Sequence, residues 1–258
     1  MKLTFLGTGG AQQVPVFGCD CFACQRARQQ PARRRGPCSA LIVCEGETTL
    51  LDAGQPLLEQ RFAPGALTRI LLTHYHMDHV QGLFPLRWGV GVPIPVYGPP
   101  DPEGCDDLFK HPGLLRFQPP LAAFQTAEYG ALRITPLPLI HSKLTWGYLI
   151  AYRQHRLAWL CDTVGLPPET LSFLRAQSLD HLVLDCSHAP REKPPRNHND
   201  VTMALALHHD LAPRQSWLTH LSHEVDNWLA ENRLPVAVAA AYDGLTLTFE
   251  HDAGAVTV

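Results

Sequence analysis

The segment Ile70-Leu71-Leu72-Thr73-His74-Tyr75-His76-Met77-Asp78-His79 places four metal-ligating side chains directly after a short apolar strand. Side chains alternate along a strand, so His74 and His76 can point to one face, and the following turn can bring Asp78 and His79 to a second position. Imidazole and carboxylate groups are ligands of first-row transition metals. The spacing therefore predicts two adjacent metal sites at the end of this strand.

The same arrangement, an apolar strand that ends in a potential ligand, occurs three more times. These ligands are His141 after residues 137–140, Asp162 after residues 157–161 and His220 after residues 216–219. One histidine or aspartate at a strand end is usually a turn or core residue, so the prediction depends on the repetition. Asp52 follows Leu50-Leu51 in the same way, and it could orient a ligand histidine or cap the turn.

The composition excludes several classes of protein. The chain has 258 residues, 45% hydrophobic and 17% charged, which are ordinary values for a folded protein. Its 21 Lys and Arg against 24 Asp and Glu give a net charge of −3, without the basic excess of nucleic-acid-binding proteins. The apolar runs are shorter than the roughly 20 residues that span a bilayer, and no apolar signal segment follows Lys2. We therefore expect a cytoplasmic protein that binds neither nucleic acid nor membrane.

Turn residues separate many short β-rich runs, and amphipathic helical patterns occur in the second half of the chain. Strands are predicted at residues 2–7, 40–44, 48–52, 69–72, 95–97, 132–135, 146–151, 156–160, 181–184, 215–218, 236–240 and 245–249, and helices at 168–176, 200–209 and 225–232. Strands first, and then strands alternating with helices, predict two packed sheets with helices outside, a layered α/β architecture. No shift in composition marks a boundary, so we expect a single domain over residues 1–258.

Cys19, Cys21 and Cys24 place three thiols close together in the chain. They predict a structural zinc site in an N-terminal cysteine-rich loop at about residues 18–38. The predicted fourth ligand is His223, three residues beyond His220, and Cys38 is the alternative. A thiol–disulfide redox role is the alternative to zinc. The other four cysteines are expected to be small buried core residues: Cys44, Cys105, Cys161 and Cys186.

The His-x-His-x-Asp-His run from His74 to His79, with the ligands that follow it, resembles the metallo-β-lactamase superfamily. The resemblance implies a metallo-β-lactamase-type αββα sandwich of two mixed β-sheets flanked by helices. It also implies two divalent catalytic ions, manganese or zinc. One ion would take His74, His76 and His141, the other Asp78, His79 and His220, and Asp162 would bridge the two.

The charge of such a site indicates the substrate class. Two divalent ions among neutral imidazoles and two carboxylates leave a net positive charge even with a hydroxide between the ions, so we expect an anionic substrate. Metal coordination lowers the pKa of water toward about 7, and paired ions can stabilise attacking and leaving oxygens together. We therefore predict a metal-dependent phosphodiesterase in which hydroxide held between the ions attacks phosphorus.

Three blocks narrow the resemblance: the cysteine cluster, residues 74–89 and residues 141–145. Together they resemble the phosphodiesterases of the carbon–phosphorus lyase pathway. That resemblance implies a homodimer. It also implies a small phosphorylated sugar as substrate: 5-phosphoribosyl 1,2-cyclic phosphate, which is opened to ribose 1,5-bisphosphate in phosphonate catabolism. Arg33-Arg34-Arg35 could contact its terminal phosphate, although a basic triplet is usually solvated.

Arg196-Asn197-His198-Asn199-Asp200 precedes a predicted helix, so His198 could lie beside a helix N-terminus aimed at a phosphate. We predict that His198 protonates the departing sugar oxygen; a surface loop histidine is the alternative. His198 and Asp78 are thus the predicted catalytic residues. His198, Lys143 and His188 are the predicted substrate contacts, although His188 could also only pack.

Other functions share parts of this pattern. A tRNA 3′-processing nuclease of the same superfamily would use the same catalytic ligands, but the acidic balance counts against it. A non-catalytic zinc protein resembling coenzyme PQQ biosynthesis protein B would carry the cysteine cluster, but the presence of all seven catalytic-type ligands favours hydrolysis. A β-lactamase or thioesterase would bind the same metals, and ligand spacing excludes neither.

Overall fold

The computed structural model describes residues 1–250, and this part of the chain contains two seven-stranded β-sheets. The strands are β1 (Lys2–Gly7), β2 (Ser39–Cys44), β3 (Glu47–Leu51), β4 (Arg69–Leu71), β5 (Ile94–Tyr97), β6 (Leu115–Phe117), β7 (Ala127–Tyr129), β8 (Leu132–Pro138), β9 (Trp146–Tyr152), β10 (His155–Leu160), β11 (His181–Asp185), β12 (Gln215–Thr219), β13 (Val238–Ala240) and β14 (Thr246–Thr248). The helices are α1 (Phe22–Gln29), α2 (Leu58–Arg61), α3 (Met77–Val80), α4 (Leu83–Leu86), α5 (Asp106–Lys110), α6 (Pro168–Arg175), α7 (Val201–Leu211) and α8 (His223–Glu231), with a 3₁₀ turn at Pro31–Arg33. Within residues 1–250, none of the helices has the length and apolar character needed to cross a bilayer. Residues 251–258, which the predicted domain includes, lie outside the described residues.

The two sheets pack face to face. Their strand orders are β14-β1-β2-β3-β4-β5-β6 and β13-β12-β11-β10-β9-β8-β7, and both combine antiparallel with parallel pairs. Large side chains such as Phe5 and Trp159, with ring centroids 5.7 Å apart, fill the space between the sheets. Helices α2 to α5 contribute to a second apolar cluster on the first sheet, and α6 to α8 to a third on the second sheet. This layering confirms the αββα sandwich.

The ends of parallel strands lie at one edge of each sheet. Strand β3 is parallel to β4, and β10, β11 and β12 are parallel to one another, so their carboxyl ends are neighbours. Asp52, Asp162 and His220 follow β3, β10 and β12 within two residues, and their φ angles are 53°, 61° and 56°. This left-handed conformation is uncommon outside glycine, and Asn, Asp and His adopt it most readily. The polar residues at the strand ends are therefore of the types that such sharp turns accept.

All predicted strands and helices are present, with ends shifted by a few residues, but strands β6 and β7, helices α1 to α5 and the 3₁₀ turn were not expected. Helix α1 lies inside the segment predicted as a cysteine-rich loop, so that prediction was wrong for residues 22–29. Its buried residues are the small Ala23, Cys24 and Ala27, and Cys24 is one of the predicted zinc ligands. Strands β6 and β7 have three residues each, which is too short for alternation to be recognised.

A buried ion pair connects the N-terminal segment to α8. The Nε and Nη2 atoms of Arg35 donate to the two carboxylate oxygens of Asp226, both at 2.8 Å. Its Nη1 atom donates to Thr8 Oγ1 at 2.8 Å and to the Ala241 carbonyl at 2.6 Å. Arg35 therefore holds the fold together rather than facing a substrate, and Arg34 Nε donates to the backbone of Ala27.

Candidate metal centre

The first cluster consists of His74, His76, His141 and one oxygen of Asp162. His76 Nδ1 lies 2.8 Å from His74 Nε2 and 3.1 Å from His141 Nε2. The Oδ2 atom of Asp162 lies 3.7 Å from His74 Nε2 and 3.6 Å from His141 Nε2. Three ring nitrogens and one carboxylate oxygen therefore face a common small volume.

The second cluster consists of Asp78, His79 and His220. Asp78 Oδ2 lies 3.5 Å from His79 Nε2 and 3.6 Å from His220 Nε2. The other oxygen of Asp162, Oδ1, lies 3.3 Å and 3.4 Å from the same two nitrogens. The two oxygens of Asp162 thus face different clusters. The structure brings together the residues predicted for each ion; their coordination of metal stays a prediction.

Two buried nitrogens test whether these clusters fit a cation. His79 Nε2 and His220 Nε2 are buried and have no hydrogen-bond partner among the described residues. A buried polar atom without a partner is costly, and native structures rarely contain one without a reason. Ligand atoms that share an ion at 2.0–2.2 Å lie about 3 to 3.5 Å apart, close to the separations found here. The donor set therefore fits divalent ions.

Asp52 orients two of these histidines. His79 Nδ1 donates to Asp52 Oδ2 at 2.9 Å, which leaves Nε2 free to face the cluster. His74 Nδ1 donates to Thr73 Oγ1 at 3.0 Å, and that hydroxyl donates to Asp52 Oδ2 at 2.9 Å. Of the two roles left open for Asp52, the structure gives it the orientation of ligand histidines.

A matching network holds His220. Its Nδ1 atom donates to Ser187 Oγ at 2.7 Å, and Ser187 Oγ donates to Asp185 Oδ1 at 2.9 Å. Asp185 is the last residue of β11 and is buried. Sequence reasoning missed Ser187, because a serine after a strand has no distinctive pattern. Its position two residues beyond Asp185 was the only available signal.

The histidine pKa values are lowered in the first cluster, whereas that of His220 in the second cluster is raised. Burial lowers the pKa of His74, His76 and His141, so these imidazoles are neutral and ready to bind a cation. Burial also opposes protonation of His220, but Asp162 and Asp78 outweigh it and raise its pKa to about 10. In the metal-free protein, a proton on His220 therefore balances the carboxylates, and metal binding must displace it.

His198 lies against the second cluster. Its ring stacks on that of His220 with centroids 4.7 Å apart, and its Nδ1 lies 2.7 Å from Asp185 Oδ2. Helix α7 begins after Asp200, whose side chain accepts from the Met203 backbone at 2.8 Å. Asp200 therefore caps the helix N-terminus, and the phosphate contact predicted for His198 there stays a prediction.

A cavity of about 230 Å³ opens beside His198. His188, His198 and His220 line one side, and the turn at residues 10–13 lines the other. A Cβ atom at Gly10 would lie 2.6 Å from His220 Cε1, so only glycine allows the turn to approach so closely. Lys143 does not line this cavity, because its Nζ lies 3.7 Å from Asp101 Oδ2. His188 lines the cavity, and the substrate contacts predicted for His188 and Lys143 both stay predictions.

Cys19, Cys21, Cys24 and His223 form a separate cluster whose ligand atoms all lie within 4.8 Å of one another. His223 Nδ1 lies 3.4 Å from the Cys19 sulfur and 3.3 Å from the Cys21 sulfur. Burial raises the thiol pKa of Cys21, but hydrogen bonds from Asn227 and the Cys24 backbone outweigh it and lower the pKa to about 6. A thiolate at neutral pH suits a zinc ligand.

Cys38 is not the fourth ligand of this cluster. Its sulfur lies 3.2 Å from that of Cys161, in the core between the sheets. Cys44, Cys161 and Cys186 are buried as predicted, whereas Cys105 is only half-buried. Among the alternatives that the sequence left open, His223 is the one that the fold brings to the three thiols.

Comparisons with known proteins agree with this architecture. A family described as beta-lactamase superfamily domain matches residues 47–221. A crystal structure described as a new diphosphatase from the PhnP family has a TM-score of 0.79 and 26% sequence identity, covering 95% of this chain and 96% of that one. The likeness to this structure therefore extends over nearly the whole length of both chains.

Two curated relatives are similar in sequence over part of their length. Ribonuclease Z from Crocosphaera subtropica is 30% identical over 190 residues, which cover 65% of this chain and 54% of the relative. A Porphyromonas gingivalis protein named octanoyltransferase is 28% identical over 267 residues, which cover 95% of this chain and 51% of the relative. The chain thus spans about half the length of these relatives.

Cys21→Ala tests the thiol cluster. We expect the variant to lose one zinc per chain, measured by elemental analysis after brief chelation has removed exchangeable ions. Its melting temperature should fall by several degrees, because the energy of a structural zinc site is part of the folding energy. Cys105→Ala, half-buried and outside the cluster, should keep both the zinc and the melting temperature. Retention of zinc by Cys21→Ala would contradict the assignment.

Proposed function

Because the chain belongs to the metallo-β-lactamase superfamily of metal-dependent hydrolases, we propose that it hydrolyses a phosphodiester bond in a small phosphorylated sugar. The observation that carries this proposal is the position of His198 beside two ligand clusters that share Asp162. A shared carboxylate suits paired ions, and paired ions suit displacement at phosphorus. The nearby histidine supplies a proton donor for the departing oxygen.

The residues that would hold the ions are the two clusters described above. Divalent ions bound there would stabilise negative charge and activate a water molecule at neutral pH. The chain itself fixes the ligand imidazoles through Asp52 and through the Ser187–Asp185 pair. Manganese or zinc is the proposed catalytic metal, since histidine and carboxylate ligands accept both.

His198 has the geometry of a general acid. Its Nδ1 proton is held by Asp185 Oδ2 at 2.7 Å, so a proton on Nε2 is the one free to move. Once Nε2 has donated to the leaving sugar oxygen, the ring is neutral and keeps its bond to Asp185.

Two observations favour a small phosphorylated substrate. The diphosphatase and the ribonuclease to which the chain is similar are both named for cleavage at phosphate groups. The cavity beside His198 has a volume of about 230 Å³, and the chain has a net charge of −3 without a basic excess, which counts against an RNA substrate. We propose 5-phosphoribosyl 1,2-cyclic phosphate, opened to ribose 1,5-bisphosphate, as the substrate.

Phosphorus NMR of the metal-loaded protein with 5-phosphoribosyl 1,2-cyclic phosphate tests this function. We expect the cyclic-ester signal to be replaced by a monoester signal, and a chelated sample should leave it unchanged. A diphosphate ester, a precursor tRNA and a thioester serve as competing substrates under the same conditions. If one of these is cleaved while the cyclic ester stays intact, the proposed substrate is wrong, although the chain still belongs to the superfamily.

His198→Ala tests the proton donor. A poor leaving group needs a proton and a good one does not, so we expect the cyclic sugar phosphate to react roughly 10²- to 10⁴-fold more slowly. Hydrolysis of bis(p-nitrophenyl) phosphate, whose leaving group is good, should change much less. His209→Ala, on the exposed surface of α7, is the matched control and should behave like the parent. Equal slowing of both substrates, with metal content intact, would assign His198 to phosphoryl binding instead.

A further inference from the structure

A second cavity, of about 540 Å³, lies between α1, α8 and the segment after β13. It shares no lining residue with the cavity beside His198. Its walls include three arginines, Arg26, Arg33 and Arg35, and one acidic residue, Asp226. None of the predicted metal ligands lines it, so the function proposed above leaves this cavity unexplained.

The acidic residue in the wall is already neutralised. Both oxygens of Asp226 accept hydrogen bonds from Arg35 at 2.8 Å, and both side chains are largely buried. The remaining guanidinium nitrogen of Arg35 is bonded to Thr8 and Ala241. The charges of Arg35 and Asp226 therefore neutralise each other. The positive charges of Arg26 and Arg33 have no negative charge opposite them among the residues that line the cavity.

Arg26 and Arg33 have no acidic partner in the described part of the chain. Within residues 1–250, no carboxylate oxygen lies within 4.0 Å of either guanidinium group. Arg26 Nε is buried and donates to no acceptor there, and the guanidinium carbon lies 5.1 Å from the centroid of the Phe22 ring. A position in the last turn of α1 explains a positive charge there, but not a buried donor without an acceptor.

We propose that this cavity binds a phosphate group, carried by inorganic phosphate or by a small sugar phosphate. Two uncompensated guanidinium groups match a dianion, and their planar N–H donors suit the oxygens of phosphate. The proposal goes beyond the proposed hydrolysis, because the cavity is separate from the metal clusters.

Isothermal titration calorimetry of the metal-loaded protein tests the proposal, with inorganic phosphate and ribose 5-phosphate as separate probes. The metal centre also attracts phosphate, so inhibition of bis(p-nitrophenyl) phosphate hydrolysis measures that site independently. For the parent protein we expect one further site per chain that does not compete with this substrate. Comparison of the two probes shows whether free phosphate or a sugar phosphate binds more tightly.

Arg26→Gln and Arg33→Gln should each weaken the further site roughly tenfold, and the double variant should abolish it. Arg61→Gln, an exposed arginine on α2 outside the cavity, is the control and should bind like the parent. Zinc content and melting temperature show that each variant is folded. The proposal is overturned if the parent binds either probe only in competition with the substrate, or if the double variant keeps the further site. Failure of this site would leave the phosphodiesterase proposal untouched, because that proposal rests on His198 and the two ligand clusters and is tested separately by turnover.

Discussion

The carboxylate of Asp162 is the group on which the candidate centre depends, because its two oxygens face two different sets of ligands. It is almost completely buried, and four histidine nitrogens lie between 3.3 and 3.7 Å from it. A buried carboxylate is stable only when positive charge surrounds it. Burial opposes ionisation of Asp162, but His220 and His79 outweigh burial and lower its pKa well below the usual value. The two clusters therefore form one electrostatic unit.

The sheets supply the positions that this unit needs. Asp52 follows a strand of the first sheet, Asp162 and His220 follow parallel strands of the second, and each of the three has a left-handed conformation. Hydrogen bonds from the outer nitrogens of His79 and His220 then fix which ring nitrogen faces the cluster. The fold thus sets the orientation of the ligands, so the geometry does not have to form when a cation arrives.

Much of this centre could be predicted from the sequence, since apolar strands that end in His or Asp mark each ligand locally. The thiol cluster was also predictable, including His223 as its fourth member, because His223 lies three residues beyond His220 in the sequence. The role of Ser187 was not predictable, because it depends on a contact with His220, which lies 33 residues further along the chain. Helix α1 was missed because Cys21 and Cys24, at its start, were interpreted as part of a metal-binding loop.

Anomalous scattering from a crystal of the metal-loaded protein tests the central claim most directly. The account predicts two catalytic peaks, one beside each oxygen of Asp162, with His74, His76 and His141 around the first and Asp78, His79 and His220 around the second. A further peak, with the zinc absorption edge, is expected among Cys19, Cys21, Cys24 and His223. A single catalytic peak, or two peaks that both contact the same oxygen of Asp162, would contradict the claim that this carboxylate joins two metal sites.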